Sequence, residues 1–314
     1  MEKKLTVLIM SSTHWDREWY QPFQGFRWRL VNVLEDAMDK LDAHPDFGTF
    51  TLDGQTIVLE DFVEAAPDQK ERLHRLMREG RVKVGPWYVM PDEYLPSGES
   101  HIRNLQMGTA LAKEWGVEPM RYGYVCDIFG HPAQMPQIFR GFDCEGALLG
   151  RGITDREVPM HFRWAAPDGS EVVTFKTPDW YGYGEFWVRL HCFDWWRDPP
   201  SEEERDENLK KFIEGEMTRT DIPVWMFVDG QDHKELHART LTDVKARLER
   251  LYPGKFRIHF DRDGFDYVYD IQDLAELKGR KYQKKRNHVN KFRQTHPDCQ
   301  TVALDSGNLD AVQK

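Results

Sequence analysis

The run Leu5-Thr-Val-Leu-Ile-Met-Ser-Ser-Thr-His14-Trp15-Asp16 joins an apolar segment of strand composition to an imidazole and a carboxylate two residues apart. In extended backbone, residues i and i+2 face the same way, so His14 and Asp16 are placed to meet one cation. Two further apolar runs open into the same chemistry. Tyr122-Gly-Tyr-Val-Cys126 delivers Asp127 into Ile-Phe-Gly130-His131-Pro132, and Val224-Trp-Met-Phe-Val delivers Asp229 into Gly-Gln-Asp232-His233. Taken singly, each Asp reads first as a turn or cap residue, and His14-x-Asp16 as a polar loop. Taken together, three strand ends that present Asp suit zinc or a similar borderline cation. His and Asp are both common ligands for it, at about 2.0–2.2 Å.

These residues need a scaffold that gathers strand ends. Strand-like segments fall at 5–10, 48–52, 82–85, 122–126, 146–149, 172–176 and 223–228, and helical patterns at 26–43, 55–79, 98–115, 134–141, 201–218 and 235–251. Such alternation predicts an α/β fold, a mainly parallel sheet or barrel with helices outside. Reactive residues then sit at the ends of several strands. The aromatic-rich stretch 178–200 has the composition of a wall around a binding cleft.

The chain has 314 residues, 40% of them hydrophobic and 13% aromatic, which suffices for one large or two ordinary domains with a real core. A net charge of −10 argues against nucleic acid as a partner. No apolar stretch approaches the roughly 20 residues needed to span a bilayer. Met-Glu-Lys-Lys leads directly into a segment too short for a signal h-region, so the expected location is the cytoplasm. Cys126, Cys144, Cys192 and Cys299 lack CxxC spacing, which suggests neither a disulfide framework nor a thiolate zinc site.

The ordered motifs resemble the glycoside hydrolase family 38 α-mannosidases. His14-Trp-Asp16-Arg-Glu-Trp19 is similar to the family's HxDxxW opening, and Val84-Gly-Pro-Trp87-Tyr-Val-Met-Pro-Asp92-Glu93 to its GGW and DE element. Cys126-Asp127-Ile-Phe-Gly-His131 is similar to its nucleophile motif, and Asp229-Gly-Gln-Asp232-His233 to its acid/base element. The resemblance covers residues 5 to about 262. It implies a seven-stranded β/α barrel of the glycoside hydrolase and deacetylase kind, here truncated. It further implies that His14, Asp16 and Asp127 bind zinc, that Asp127 is also the nucleophile, and that Asp232, or less readily Asp229, is the general acid/base. Trp19 would stack under the sugar, Arg151 would lie near the nucleophile, and Tyr181 and Tyr183 would contact substrate. The implied substrates are α-mannoside oligosaccharides or glycan fragments, cleaved with retention by two carboxyl groups about 5–5.5 Å apart.

The family's fourth zinc ligand, a downstream His, has no clear counterpart; His259, His288 and His296 are the available substitutes. Between Lys278 and Arg293, eight of sixteen residues are Lys or Arg and none is acidic. This stretch resembles part of the acyltransferase-type domain of phosphatidylglycerol lysyltransferase-like proteins. The resemblance implies a catalytic domain over 1–262 and an unrelated basic helical fragment over 263–314. Two other readings stay open: a metal-dependent carbohydrate deacetylase with Asp127 as base, and a non-catalytic fragment whose basic tail binds anionic surfaces.

Overall fold

A computed structural model describes residues 4–179, 182–184, 200–237 and 240–259, with 290, 291 and 294. The chain divides into two compact units, Met1–Phe265 and Asp266–Lys314. All elements below belong to the first; the basic stretch after Lys278 lies almost wholly outside the described residues. In chain order they are β1 (Leu5–Thr13), α1 (Phe23–Ala43), β2 (Phe50–Leu52), α2 (Ile57–Ala65), α3 (Lys70–Arg78), β3 (Val82–Lys83), α4 (Gly98–Glu114) and β4 (Tyr122–Val125). There follow α5 (Met135–Gly141), β5 (Gly146–Leu149), β6 (His161–Ala165), β7 (Glu171–Lys176), α6 (Glu202–Met217), β8 (Val224–Asp229), α7 (Thr240–Leu251) and β9 (Phe256–His259). Among the described residues, no helix is long and apolar enough to cross a membrane.

Every strand expected from the sequence is present, and the chain is α/β with mainly parallel pairing. Among the described residues the strands form two sheets, β3-β2-β1-β8 with β9 also on β1, and β4-β5-β7-β6. No ladder joins the two sheets there, so a single closed barrel is not what the pairing displays. β1 is the organising strand. One edge pairs with β8 from Thr6 to Ser11; the other pairs with β9 over Leu5–Leu8 and with β2 over Ser11–Thr13. It runs on through Thr13, past the expected end at residue 10, because the ladder to β2 continues through polar residues that strands accept readily. The helix expected over 55–79 is two helices. Pro67, which lacks an N–H to continue the ladder, opens a 3-10 turn over Pro67–Gln69.

α1 buries Phe26, Leu30, Val33, Leu34, Ala37, Met38 and Leu41, a helical stripe laid on the first sheet's core. α4 has a second task. Asn104 accepts from the Tyr88 and Val89 amides at 2.8 and 3.0 Å and donates to the Val89 carbonyl at 2.6 Å. One turn further along, a Cβ on Gly108 would lie 2.3 Å from the Pro86 carbonyl oxygen and the Trp87 carbonyl carbon. The helix is thus pressed onto the bent segment 86–90, whose Val89 and Met90 reach the cleft described below. In a free helix, Gly→Ala stabilises by about 0.5–1 kcal/mol. Here Gly108→Ala forces two backbones apart, and we expect a loss of about 2–3 kcal/mol in urea unfolding. A gain in stability would mean that the close approach is not present in solution.

Candidate active site

His14 is the first residue beyond β1, and its backbone is held on both sides. Its amide donates to the Gln231 carbonyl at 3.0 Å, and its carbonyl accepts from the His233 amide at 2.9 Å. Behind it stands Asp53, just past β2, with no exposure to water. Asp53 Oδ2 lies 2.9 Å from His14 Nδ1 and accepts from the Trp15 amide at 2.7 Å and Gln55 Nε2 at 3.0 Å. Its other oxygen accepts from the Cys126 thiol at 3.2 Å. A carboxylate only accepts, so Nδ1 carries a hydrogen and the Nε2 side of the ring faces forward. Burial is the largest single influence and opposes a charged His14, but Asp53, Cys126, Tyr183 and Asp127 together outweigh it and raise the imidazole well above its ordinary range.

The forward nitrogen, Nε2, has no hydrogen-bond partner among the described residues. It points between Asp16 Oδ2 at 3.4 Å and Asp127 Oδ2 at 3.3 Å. Asp16 Oδ2 also lies 3.3 Å from His233 Nε2, which accepts from the Asp16 amide at 3.1 Å. Burial works against the Asp16 charge, yet His14 and His233 hold its carboxyl far below the usual range. Asp127 Oδ1 forms an ion pair with Arg151, whose Nε lies 2.6 Å away.

Arg151 projects from the turn after β5. Gly150 leaves no room for a side chain, since a Cβ there would fall 1.7 Å from the Cys126 carbonyl oxygen. Buried Lys176 donates to the Gly150 carbonyl at 3.0 Å, the Thr177 carbonyl at 2.6 Å and Asp179 Oδ1 at 2.9 Å. On the opposite side of the cleft, the Tyr183 hydroxyl donates to Asp232 Oδ1. Burial pushes the Tyr183 phenol strongly upward, so it keeps the proton it donates.

The cleft has a volume of about 550 Å³, and His14, Asp16, Trp19, Asp127, Arg151, Tyr183 and Asp232 all line it. Trp19, 75% exposed, offers an open indole face at its rim. Asp232 is open to the cleft, whereas Asp229 is buried at the end of β8 opposite Ser11 and is not part of the wall. Tyr181 lies outside the described residues, as do His288 and His296. His259 is on β9 opposite Leu8. At about 3.3 Å per residue, that register puts its backbone roughly 20 Å from His14 along β1, too far to share a ligand.

Sequence reading missed Asp53 and Lys176, and named His233 within a motif without giving it a role. Asp53-Gly54 follows a short apolar strand, the same signal that singled out Asp127 and Asp229, but it passes as a turn dipeptide. His233 holds Asp16: its Nε2 lone pair is engaged by the Asp16 amide. His14, Asp53 and Cys126 also form a group within 4.8 Å that could hold a cation. Asp53 is already saturated with donors, and burial pushes the Cys126 thiol up, so this trio orients the imidazole and leaves the Nε2 side for a ligand.

The profile described as "Glycosyl hydrolases family 38 N-terminal domain" matches residues 4–296. The chain belongs to this family of glycoside hydrolases. The match runs past the boundary expected at 262, and the acyltransferase-like reading of the C-terminal stretch finds no support in it. A Halalkalibacterium halodurans protein named "Putative mannosylglycerate hydrolase" is 29% identical over 95% of this chain and 35% of its own length. Alpha-mannosidase 2 of Spodoptera frugiperda is 24% identical over 91% of this chain and 25% of its own. The crystal structure of an alpha-mannosidase from Enterococcus faecalis V583 superposes with a TM-score of 0.69 at 27% identity, covering 87% of this chain and 29% of that one. The chain thus spans about a quarter to a third of the length of these relatives.

The Asp53 cluster is open to a direct test. Asp53→Asn keeps the volume but removes the charge that four donors converge on. Equilibrium unfolding in urea should register a loss of about 3 kcal/mol. A change below about 0.5 kcal/mol would show that the cluster does not hold His14.

Proposed function

We propose that this chain is the catalytic portion of a retaining α-mannosidase that binds zinc through His14, Asp16 and Asp127. In this reading the two sheets are arcs of the family's barrel. One observation carries it: a buried imidazole nitrogen without a hydrogen-bond partner faces carboxylate oxygens from two other places in the chain. One nitrogen and two carboxylates are a common donor set for catalytic zinc, which usually has three protein ligands. The acidic oxygens around Nε2 repel one another, and a cation offsets that repulsion. Zinc bound there would supply a positive charge that orients vicinal sugar hydroxyls.

The remaining chemistry belongs to side chains. Trp19 gives the pyranose a flat apolar face to stack on. Arg151 pairs with Asp127 from the side and keeps its carboxylate turned toward the cleft. The Asp127 carboxylate bonds to the anomeric carbon as the glycosidic C–O bond breaks, and Asp232 gives its proton to the leaving oxygen. Water then adds to the anomeric carbon while Asp232 takes back a proton and the ester bond to Asp127 breaks, restoring the original configuration. Tyr183 keeps Asp232 oriented through both steps. Tyr181 is assigned a substrate contact by the family resemblance alone. The natural substrates are short α-mannosides and glycan fragments. The relative named for mannosylglycerate extends that class to small aglycones.

Three measurements test this reading. Purified protein should contain about one equivalent of zinc, and Asp16→Ala should weaken zinc binding by at least about 100-fold in chelator competition. Hydrolysis of an aryl α-mannoside followed by proton NMR should give the α-anomer first. Asp127→Asn should lower kcat on the order of ten-thousand-fold. A first product of inverted configuration would overturn the proposal. So would deacetylation of an acetylated chitooligosaccharide without mannoside turnover.

A further inference from the structure

Glu93 and His131 are not among the residues lining the cleft and touch neither carboxylate assigned to the reaction. His131 stands four residues beyond Asp127, with its ring edge-to-face against Trp164 at 5.5 Å. Its Nδ1 is 2.9 Å from Glu93 Oε2, and its Nε2 is 2.8 Å from the Arg151 carbonyl oxygen. Glu93 is fully buried, and its own carbonyl oxygen is 2.9 Å from His101 Nε2 on α4. The tie is close. A Cβ on Gly152 would lie 2.6 Å from the Ile128 carbonyl oxygen, 2.7 Å from the Gly130 amide and 2.8 Å from His131 Nε2.

The Gly150 carbonyl belongs to the peptide before Arg151, and the Arg151 carbonyl to the peptide after it. Lys176 holds the first and His131 the second. Both peptide planes flanking the Arg151 Cα are therefore fixed, and only the side-chain torsions remain free. The guanidinium then extends past the Phe129 ring, 5.4 Å from its centroid, to Asp127 Oδ1 at 2.6 Å. This leaves Asp127 Oδ2 facing His14.

We infer that Glu93 and His131 are positioning residues that set Arg151 against Asp127 and thereby aim the Asp127 carboxylate. Both atoms that flank the His131 ring are oxygens, so the Glu93–His131 pair holds two protons when both contacts are made. Burial pushes the Glu93 carboxyl above its ordinary range, with His131 pulling the other way, which accords with a shared proton in this pair. The consequence for turnover rests on the reading of Asp127 as the attacking carboxylate; the consequence for Arg151 does not.

The test uses the full chain and two readouts. In nitrogen-15 NMR, the Arg151 Nε–H signal is identified by its loss in Arg151→Lys. Its chemical shift should move away from the wild-type position in His131→Phe and stay near it in Glu93→Gln, whose amide can donate to Nδ1 and so leave the ring hydrogen on Nε2 for the Arg151 carbonyl. On an aryl α-mannoside, His131→Phe should lower kcat by about 10–100-fold with KM changed less than about threefold. The double variant His131→Phe/Arg151→Lys should be no slower than Arg151→Lys alone, because the two act along one path. Should His131→Phe not fold, Glu93→Leu breaks the same tie from its other end. An unaltered Arg151 signal in a folded variant, or kcat losses that multiply in the double variant, overturns the inference. A wild type with no mannoside turnover defeats the proposed function, and the Arg151 signal then decides the positioning role by itself.

Discussion

A carboxylate with no access to water is tolerated in a folded protein only where donors converge on it, and four converge on Asp53. They come from the end of β1, from Gln55 after β2 and from Cys126 after β4, so a single anion draws three strand ends to one point. Its second effect is chemical. By claiming His14 Nδ1, Asp53 settles the tautomer and aims the other nitrogen at Asp16 and Asp127. The charge that organises the interior therefore also decides which face of the imidazole is available to a ligand.

The same economy governs Asp127. Its two oxygens are turned to different neighbours, one to the Arg151 guanidinium and one to His14. A carboxylate that must be oriented, charged and still accessible needs partners that hold it from the side. Arg151 does so from a turn whose neighbouring carbonyls are themselves engaged. Across the cleft, Tyr183 treats Asp232 in a similar way with a neutral donor. One acidic group thus lies beside a cation and the other beside a phenol.

Much of this was legible from the residues, for identifiable reasons. Strands with a buried apolar run announce themselves, and a strand that stops at a His or Asp marks the end where ligands collect. The elements that escaped notice do so on physical grounds. β6 is a short strand paired with β7 through the Asp168-Gly169 turn, whose hairpin signal is only as long as its dipeptide. β9 is four residues long and is a strand because β1 has an open edge there. Asp53 looks like a turn residue until three-dimensional pairing supplies its donors. His233 reads as part of a motif, and only the fold reveals that it engages the Asp16 backbone. Lys176 sits in an apolar strand where a charge looks misplaced, and beside its near neighbours Thr177 and Asp179 it reaches the Gly150 carbonyl, which no local pattern connects to it.

The edges of β1 carry a consequence for how the molecule reaches this state. The strand that leads into His14 precedes its partners in the chain: those along its opening half, β8 and β9, lie more than two hundred residues later. Until residues 256–259 emerge from the ribosome, one side of Leu5–Leu8 is an unsatisfied row of amides and carbonyls. Contacts of such sequence separation close slowly. The imidazole at the centre of the cleft is consequently made more than two hundred residues before the segments that lock it in place.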